Sequence, residues 1–162
     1  MERIWAPWRM AYIREAADEG CFFCRARESS NDRQNLVLAR SSTTMTILNR
    51  YPYINGHLMV APLRHTAEID DLTDDELLGL MRGVRQARRV LMETVSPAGF
   101  NIGINLGRSA GAGVEDHLHI HVVPRWNGDN NFMPVMAETR VINQDLMDVF
   151  DLLQPGFTDT KF

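Results

Sequence analysis

The run His117-Leu-His-Ile-His-Val-Val-Pro constrains this chain more than any other stretch. In an extended strand, successive side chains point to opposite faces. His117, His119 and His121 then share one face, while Leu118, Ile120 and Val122 share the other. The apolar face belongs to a core, and Pro124, which lacks a backbone donor, ends the strand. Three imidazoles in a row suit two chemistries. Neutral imidazole is the commonest side-chain metal ligand, so the three could surround an open metal site. Imidazole is also a nucleophile near neutral pH, and its attack on a phosphoryl centre divides one hard displacement into two easier ones. The plain alternative is a solvated strand whose histidines are incidental.

The surroundings favour phosphate. Gly107 to Gly113 is a glycine-rich loop leading directly into the histidines, and glycines let backbone N–H groups close around anionic oxygens. Upstream, residues 36–39 and 43–48 read as two strands joined at Arg40-Ser-Ser, and residues 57–62 as a third ending at Pro62. Thr73 and Glu76 have the spacing of a capping box. Leu77, Leu80, Met81, Val84, Ala87, Leu91 and Val95 then recur at helical spacing and predict one buried face, stopped at Ser96-Pro97. Residues 100–106 read as a fourth strand, 117–123 as the fifth, and 143–153 as a short last helix. The polar segment 28–35 reads as a loop. Strands, a long helix and two further strands make an α+β fold, an antiparallel sheet with a helix packed on it.

The chain has 162 residues, 44% hydrophobic and 23% charged, the balance of one globular domain. No apolar run approaches the roughly 20 residues that span a bilayer, and residues 1–9 lack the apolar core of a secretory signal. A cytoplasmic protein without a membrane partner is expected. The formal net charge of -4 argues against a nucleic-acid partner, yet leaves room for a small anion held by local donors. The two cysteines, Cys21 and Cys24, are spaced C-x-x-C. In a reducing compartment that pair suits metal or redox chemistry better than a structural disulfide, and no thioredoxin-like β-α-β pattern surrounds it.

The histidine run followed by Pro124-Arg125 resembles the signature of the histidine-triad (HIT) superfamily. Residues 48–65, Leu-Asn-Arg-Tyr-Pro-Tyr-Ile-Asn-Gly-His-Leu-Met-Val-Ala-Pro-Leu-Arg-His, resemble its nucleotide-binding strand and turn, and Asn101 to Arg125 its catalytic half. The similarity spans about residues 21–134 of a single domain over 1–162. The resemblance implies a five-stranded antiparallel sheet with one long helix, paired into a homodimer. It implies His119 as the nucleophile, His121 bonded to a phosphate oxygen or the leaving group, and His117 orienting the site. Asn105 would lie near the phosphates and Asn49 at the ribose, while His57 looks like a buried supporting histidine. Relatives often carry Gly-Gln-Ser or Gly-Gln-Thr before the histidines. Here Ala110-Gly-Ala-Gly-Val offers no side-chain donor, so phosphate contacts would fall to the backbone of Gly111 and Gly113. The loop and the segment after Pro124 look most like a bacterial branch that includes diadenosine tetraphosphate phosphorylases.

Cys21 and Cys24 resemble the zinc pair of bacterial family members, whose other ligands correspond to His65 and His117. Two thiolates and two imidazoles suit tetrahedral zinc in a closed, structural site, and no organic cofactor is implied. The expected activity is cleavage of a dinucleoside polyphosphate at the α-phosphate through a nucleotidyl-histidine intermediate, with water or phosphate as acceptor. A nucleoside phosphoramidate hydrolase and a nucleotide sensor with little catalysis are the alternatives. Trp5, Trp8 and Trp126 read as packing aromatics, with Trp126 also able to stack on a base.

Overall fold

The structure, a computed structural model, describes residues 20–111, 113–129 and 144–158. Its helices and strands are α1 (Phe22–Glu28), β1 (Val37–Arg40), β2 (Thr44–Leu48), β3 (Leu58–Pro62), α2 (Asp74–Val95), β4 (Gly99–Ile104), β5 (Ile120–Arg125) and α3 (Leu146–Thr158). The strands form a five-stranded sheet in the order β1-β2-β3-β5-β4, antiparallel at every pairing. The expected α+β class and antiparallel sheet are therefore observed. Trp5 and Trp8 lie outside the described residues.

The capping box forms as its spacing predicts. Thr73 Oγ1 accepts from the Glu76 N–H at 3.2 Å, and Glu76 Oε2 accepts from the Thr73 N–H at 2.9 Å. The helix it opens buries most of the expected face, Leu80, Val84, Ala87 and Leu91, with its edge shifted toward Gly83 and Val90 and away from Leu77 and Met81. Leu80, Gly83, Val84, Ala87, Val90 and Leu91 are buried, whereas Leu77 and Met81 are exposed and Val95 is half-buried. The reason is Gly83. A methyl group there would come 2.7 Å from Val60 Cγ1, so the bare backbone lets the helix roll that side onto the sheet. Leu77 and Met81, on the opposite flank at about 100° per residue, turn outward.

Two strand ends also differ. Pro124 does not stop β5, which runs through it to Arg125. At the other end, β5 begins at Ile120, so His117 and His119 precede it. Their backbone follows another path, since the Leu118 N–H donates to Thr66 O at 2.7 Å rather than to a ladder partner. The last helix starts later and ends later than expected, continuing through Pro155. Gly156 permits its close seat against α2, because a methyl there would meet Val90 Cγ1 at 2.8 Å.

The sheet's two faces have different jobs. Val60 and its neighbours on one face pack against α2. On the other face, Met59 and Gly103 flank His121 in register. There α1 places Phe23, fully buried, beside the histidine rings.

Candidate active site and metal centre

Four histidines meet on the face opposite α2, and the backbone decides which nitrogen of each carries its proton. His119 Nδ1 lies 2.8 Å from the carbonyl oxygen of His117. A carbonyl only accepts, so Nδ1 is the N–H and the lone pair is on Nε2. His117 Nε2 lies 2.9 Å from Pro62 O, which by the same logic leaves the lone pair of His117 on Nδ1. The Tyr53 backbone N–H donates to His57 Nδ1 at 3.1 Å, and the Asn49 side-chain amide reaches the same atom at 3.2 Å. His57 Nε2 therefore holds the proton and donates it to His121 Nδ1 at 2.9 Å. That leaves His121 with an N–H at Nε2; Asn105 Nδ2, itself a donor, lies 3.4 Å away and does not accept it, so the N–H is left for a ligand.

The outcome is an imidazole lone pair beside an imidazole N–H. The His119 and His121 rings stand 4.8 Å apart between centroids and nearly perpendicular. Phe23 backs the row, with its centroid 4.9 Å from His117 and 5.2 Å from His119. Tyr53 covers His57 at 4.5 Å while remaining exposed itself.

Burial keeps these rings neutral. It pushes His57 down to about 3 and His121 to about 4, helped in each case by neighbouring imidazoles, and it lowers His119 as well. A depressed histidine contributes stability that is present above the unfolded value and lost as pH falls. For His57 and His121 the unfolded value is 6.5. Stability should hold above pH about 6.5 and decline steadily toward pH about 4, as the unfolded chain takes protons the folded one refuses. Calorimetric Tm at pH 7.5 and pH 5 measures the slope. The slope should flatten in His57→Asn, and an unchanged slope would show that this pair does not govern acid sensitivity.

The second cluster sits behind His117. Cys21 Sγ and His117 Nδ1 are 3.3 Å apart, as are Cys24 Sγ and His65 Nδ1, and the two Nδ1 atoms. Cys24 Sγ lies 3.8 Å from His117 Nδ1, and all four ligand atoms lie within 4.8 Å of one another. Tetrahedral zinc at ordinary bond lengths needs ligand separations of about 3.3–3.8 Å. The lone pair fixed on His117 Nδ1 points among two sulfurs and a second imidazole, an arrangement that favours a cation. The residues fit a closed Cys2His2 metal site. An open site built from the three run histidines does not fit, because the His117 lone pair faces away into this cluster.

The remaining expected residues fall as follows. Asn49 is half-buried and bonded to His57, with its Oδ1 accepting from the Tyr51 N–H at 2.9 Å. Gly111 adopts φ +83° and closes a 3-10 turn over Arg108–Ala110, its N–H donating to Arg108 O at 3.0 Å. That N–H is spent on the turn in this arrangement. Gly113 is exposed in the same loop. Trp126 donates from Nε1 to Val95 O at 3.2 Å and lines a cavity of about 470 Å³ on the helical side of the sheet, away from the histidine row. Phe23, Tyr53 and the Pro62 carbonyl were not legible as site residues. The only signal for Phe23 was its place between the two cysteines.

An antiparallel α+β sheet with this histidine row is the architecture that the histidine-triad resemblance leads one to expect. Residues 30–128 match the family model described as HIT domain, and the chain belongs to that family. It is 43% identical to an AP-4-A phosphorylase of Mycobacterium tuberculosis, over 94% of this chain and 83% of that relative. It is 36% identical over 93 residues to the asymmetrical bis(5'-nucleosyl)-tetraphosphatase of Schizosaccharomyces pombe, covering 57% of this chain and 50% of that one. A solved Zn-bound histidine triad family protein from Mycobacterium smegmatis shares the fold, with TM-score 0.67 and 24% identity over 86% of this chain and 94% of its own.

Proposed function

We propose that this protein is an enzyme that cleaves dinucleoside polyphosphates at the α-phosphate through a nucleotidyl-His119 intermediate. The observation that carries the reading is the bond from His119 Nδ1 to the His117 carbonyl, which leaves Nε2 as the nucleophile beside the His121 N–H. In the first step a bond forms from His119 Nε2 to the α-phosphorus, and the bond to the bridging oxygen breaks. The His121 N–H stabilises the oxygen that gains charge. The imidazole turns cationic as it takes the phosphoryl group, and its Nδ1–H stays bonded to the carbonyl, which favours that charge. In the second step an acceptor oxygen attacks phosphorus and the His119 bond breaks. Asn105 and the glycine loop would hold the phosphate oxygens, and Asn49 the ribose.

Cys21, Cys24, His65 and His117 would hold zinc. When bound, zinc supplies a fixed cross-link with no open position for substrate. Similarity to the M. tuberculosis AP-4-A phosphorylase supports diadenosine tetraphosphate as substrate and phosphate as acceptor. A homodimer is supported by β4, an edge strand whose Ile102 is exposed, and by the exposed Leu77 and Met81 on α2. Among the described residues no helix is long and apolar enough to cross a membrane.

The test is product analysis after incubation with diadenosine tetraphosphate, with and without inorganic phosphate. ADP plus ATP formed only with phosphate is the expected result. AMP plus ATP regardless of phosphate would make the acceptor water, and no turnover in either case would overturn the reading. The same preparation should sediment at twice the chain mass.

A further inference from the structure

A dinucleoside tetraphosphate carries several negative charges, and the histidines that meet it here are neutral. The protein bears a net charge of -4, and its single lysine is Lys161. A full positive charge for the polyphosphate, beyond the backbone donors of the loop, would therefore come from an arginine near the site. Most described arginines close to the sheet already serve the fold. Arg64 is held by Glu76, Arg125 by Asp129 and Asn101, Arg40 by Asp32 and the end of α1, and Arg27 by Glu28 and Leu63 O.

Arg108 differs in place and state. It opens the 3-10 turn between Gly107 and Gly111, three residues after Asn105, whose Nδ2 lies 3.4 Å from His121 Nε2. Its side chain is 90% exposed, and its partner in the loop is Glu115 at 3.7 Å. That separation is too long for a good hydrogen bond. Such a contact keeps the guanidinium at the loop and leaves its forked N–H groups for a phosphate.

Asn49 and Tyr53 lie on the His57 side of His121, and Asn105 and the glycine loop on the β4 side. A nucleoside on the Asn49 side leaves the loop side for the phosphates beyond the scissile bond. The second displacement must enter opposite His119, where the leaving group departed. The leaving polyphosphate and an incoming phosphate therefore occupy the same ground. We infer that Arg108 binds the phosphates beyond the scissile bond, holding first the leaving polyphosphate and then inorganic phosphate as acceptor. In the acceptor step a phosphate oxygen bonds to the α-phosphorus as the His119 Nε2–P bond breaks, giving a nucleoside diphosphate. This assignment rests on the nucleotidyl-His119 reading for its chemistry, though not for its binding.

Arg108→Gln and Arg108→Lys test it in the full-length protein. Binding of inorganic tripolyphosphate, measured by calorimetry, should weaken at least about tenfold in Arg108→Gln, the loss of one charge-assisted contact, with partial recovery in Arg108→Lys. For diadenosine tetraphosphate, kcat/KM should fall at least about tenfold more than for adenosine 5'-phosphoramidate, whose leaving group has no phosphate. The KM for inorganic phosphate should rise in step where phosphate is the acceptor. Unchanged tripolyphosphate binding, or equal losses on both substrates, would overturn the assignment. A wild-type protein that binds tripolyphosphate through Arg108 yet turns over neither substrate would instead defeat the catalytic reading alone.

Discussion

Replacing His119 by alanine should lower turnover of diadenosine tetraphosphate by at least about a thousandfold, the scale expected when a covalent nucleophile is removed. The loss should appear in kcat, with nucleotide binding retained, because His119 contributes a bond that exists only during reaction. The fold should survive. The imidazole is 5% exposed and makes one bond, to the His117 carbonyl, so the variant leaves a small gap beside Phe23 rather than an unpaired charge. Rapid quenching in base after mixing with substrate labelled at the α-phosphate distinguishes this mechanism from direct attack by the acceptor. The wild type should yield a labelled phosphoramidate on the protein, and His119→Ala none. Equal rates in the two proteins, or a wild type that never carries label, would exclude the covalent path.

The sequence showed the row of histidines but not the means by which each is oriented. Alternation in residues 117–123 put His117, His119 and His121 on one face; in the structure the strand starts only at Ile120, the His119 and His121 rings lie 4.8 Å apart, and Phe23 backs both His117 and His119. The contacts that assign the tautomers come from Pro62 O, the His117 carbonyl and the Tyr53 N–H. Backbone groups carry no side-chain identity, so no residue pattern announces them. They also explain the misplaced strand start, since a segment bonded to Thr66 and Pro62 is no longer paired in the ladder. Helix α1 is not legible in the sequence, because seven residues are too few to establish a period. It is held from outside, by Arg40 bonding to Ala26 O and Ser29 O, by Arg27 on Leu63 O, and by the cysteines. The face of α2 was legible except at its edge. The apolar spacing placed Leu80, Val84, Ala87 and Leu91 on the buried side, and it is a glycine, invisible to hydrophobic counting, that extends that side past the expected edge.

Removing the metal should destabilise the protein before it affects the chemistry. Cys21 and Cys24 bracket the first turn of α1, His65 follows β3, and His117 precedes β5. A single ion would thus tie three separate segments, and one of its ligands also provides the carbonyl that orients the nucleophile. By mass action, a metal present a thousandfold above its Kd adds about 4 kcal/mol. A chain of this size loses roughly 2–4 °C of Tm per kcal/mol, so chelation should lower Tm by about 10 °C. Added zinc should restore it in the wild type and fail to do so in Cys24→Ser. Without a cation, the Cys24 thiol is pushed up by burial and by Cys21 beside it, so the apo cluster holds protons that zinc must displace. The zinc-dependent gain in Tm should accordingly shrink as pH falls. Turnover of the chelated protein should persist at low temperature and fail on warming, as the loosened α1 withdraws Phe23 from His119. Immediate loss of turnover with Tm unchanged would place the metal at the reacting phosphate and contradict the closed site.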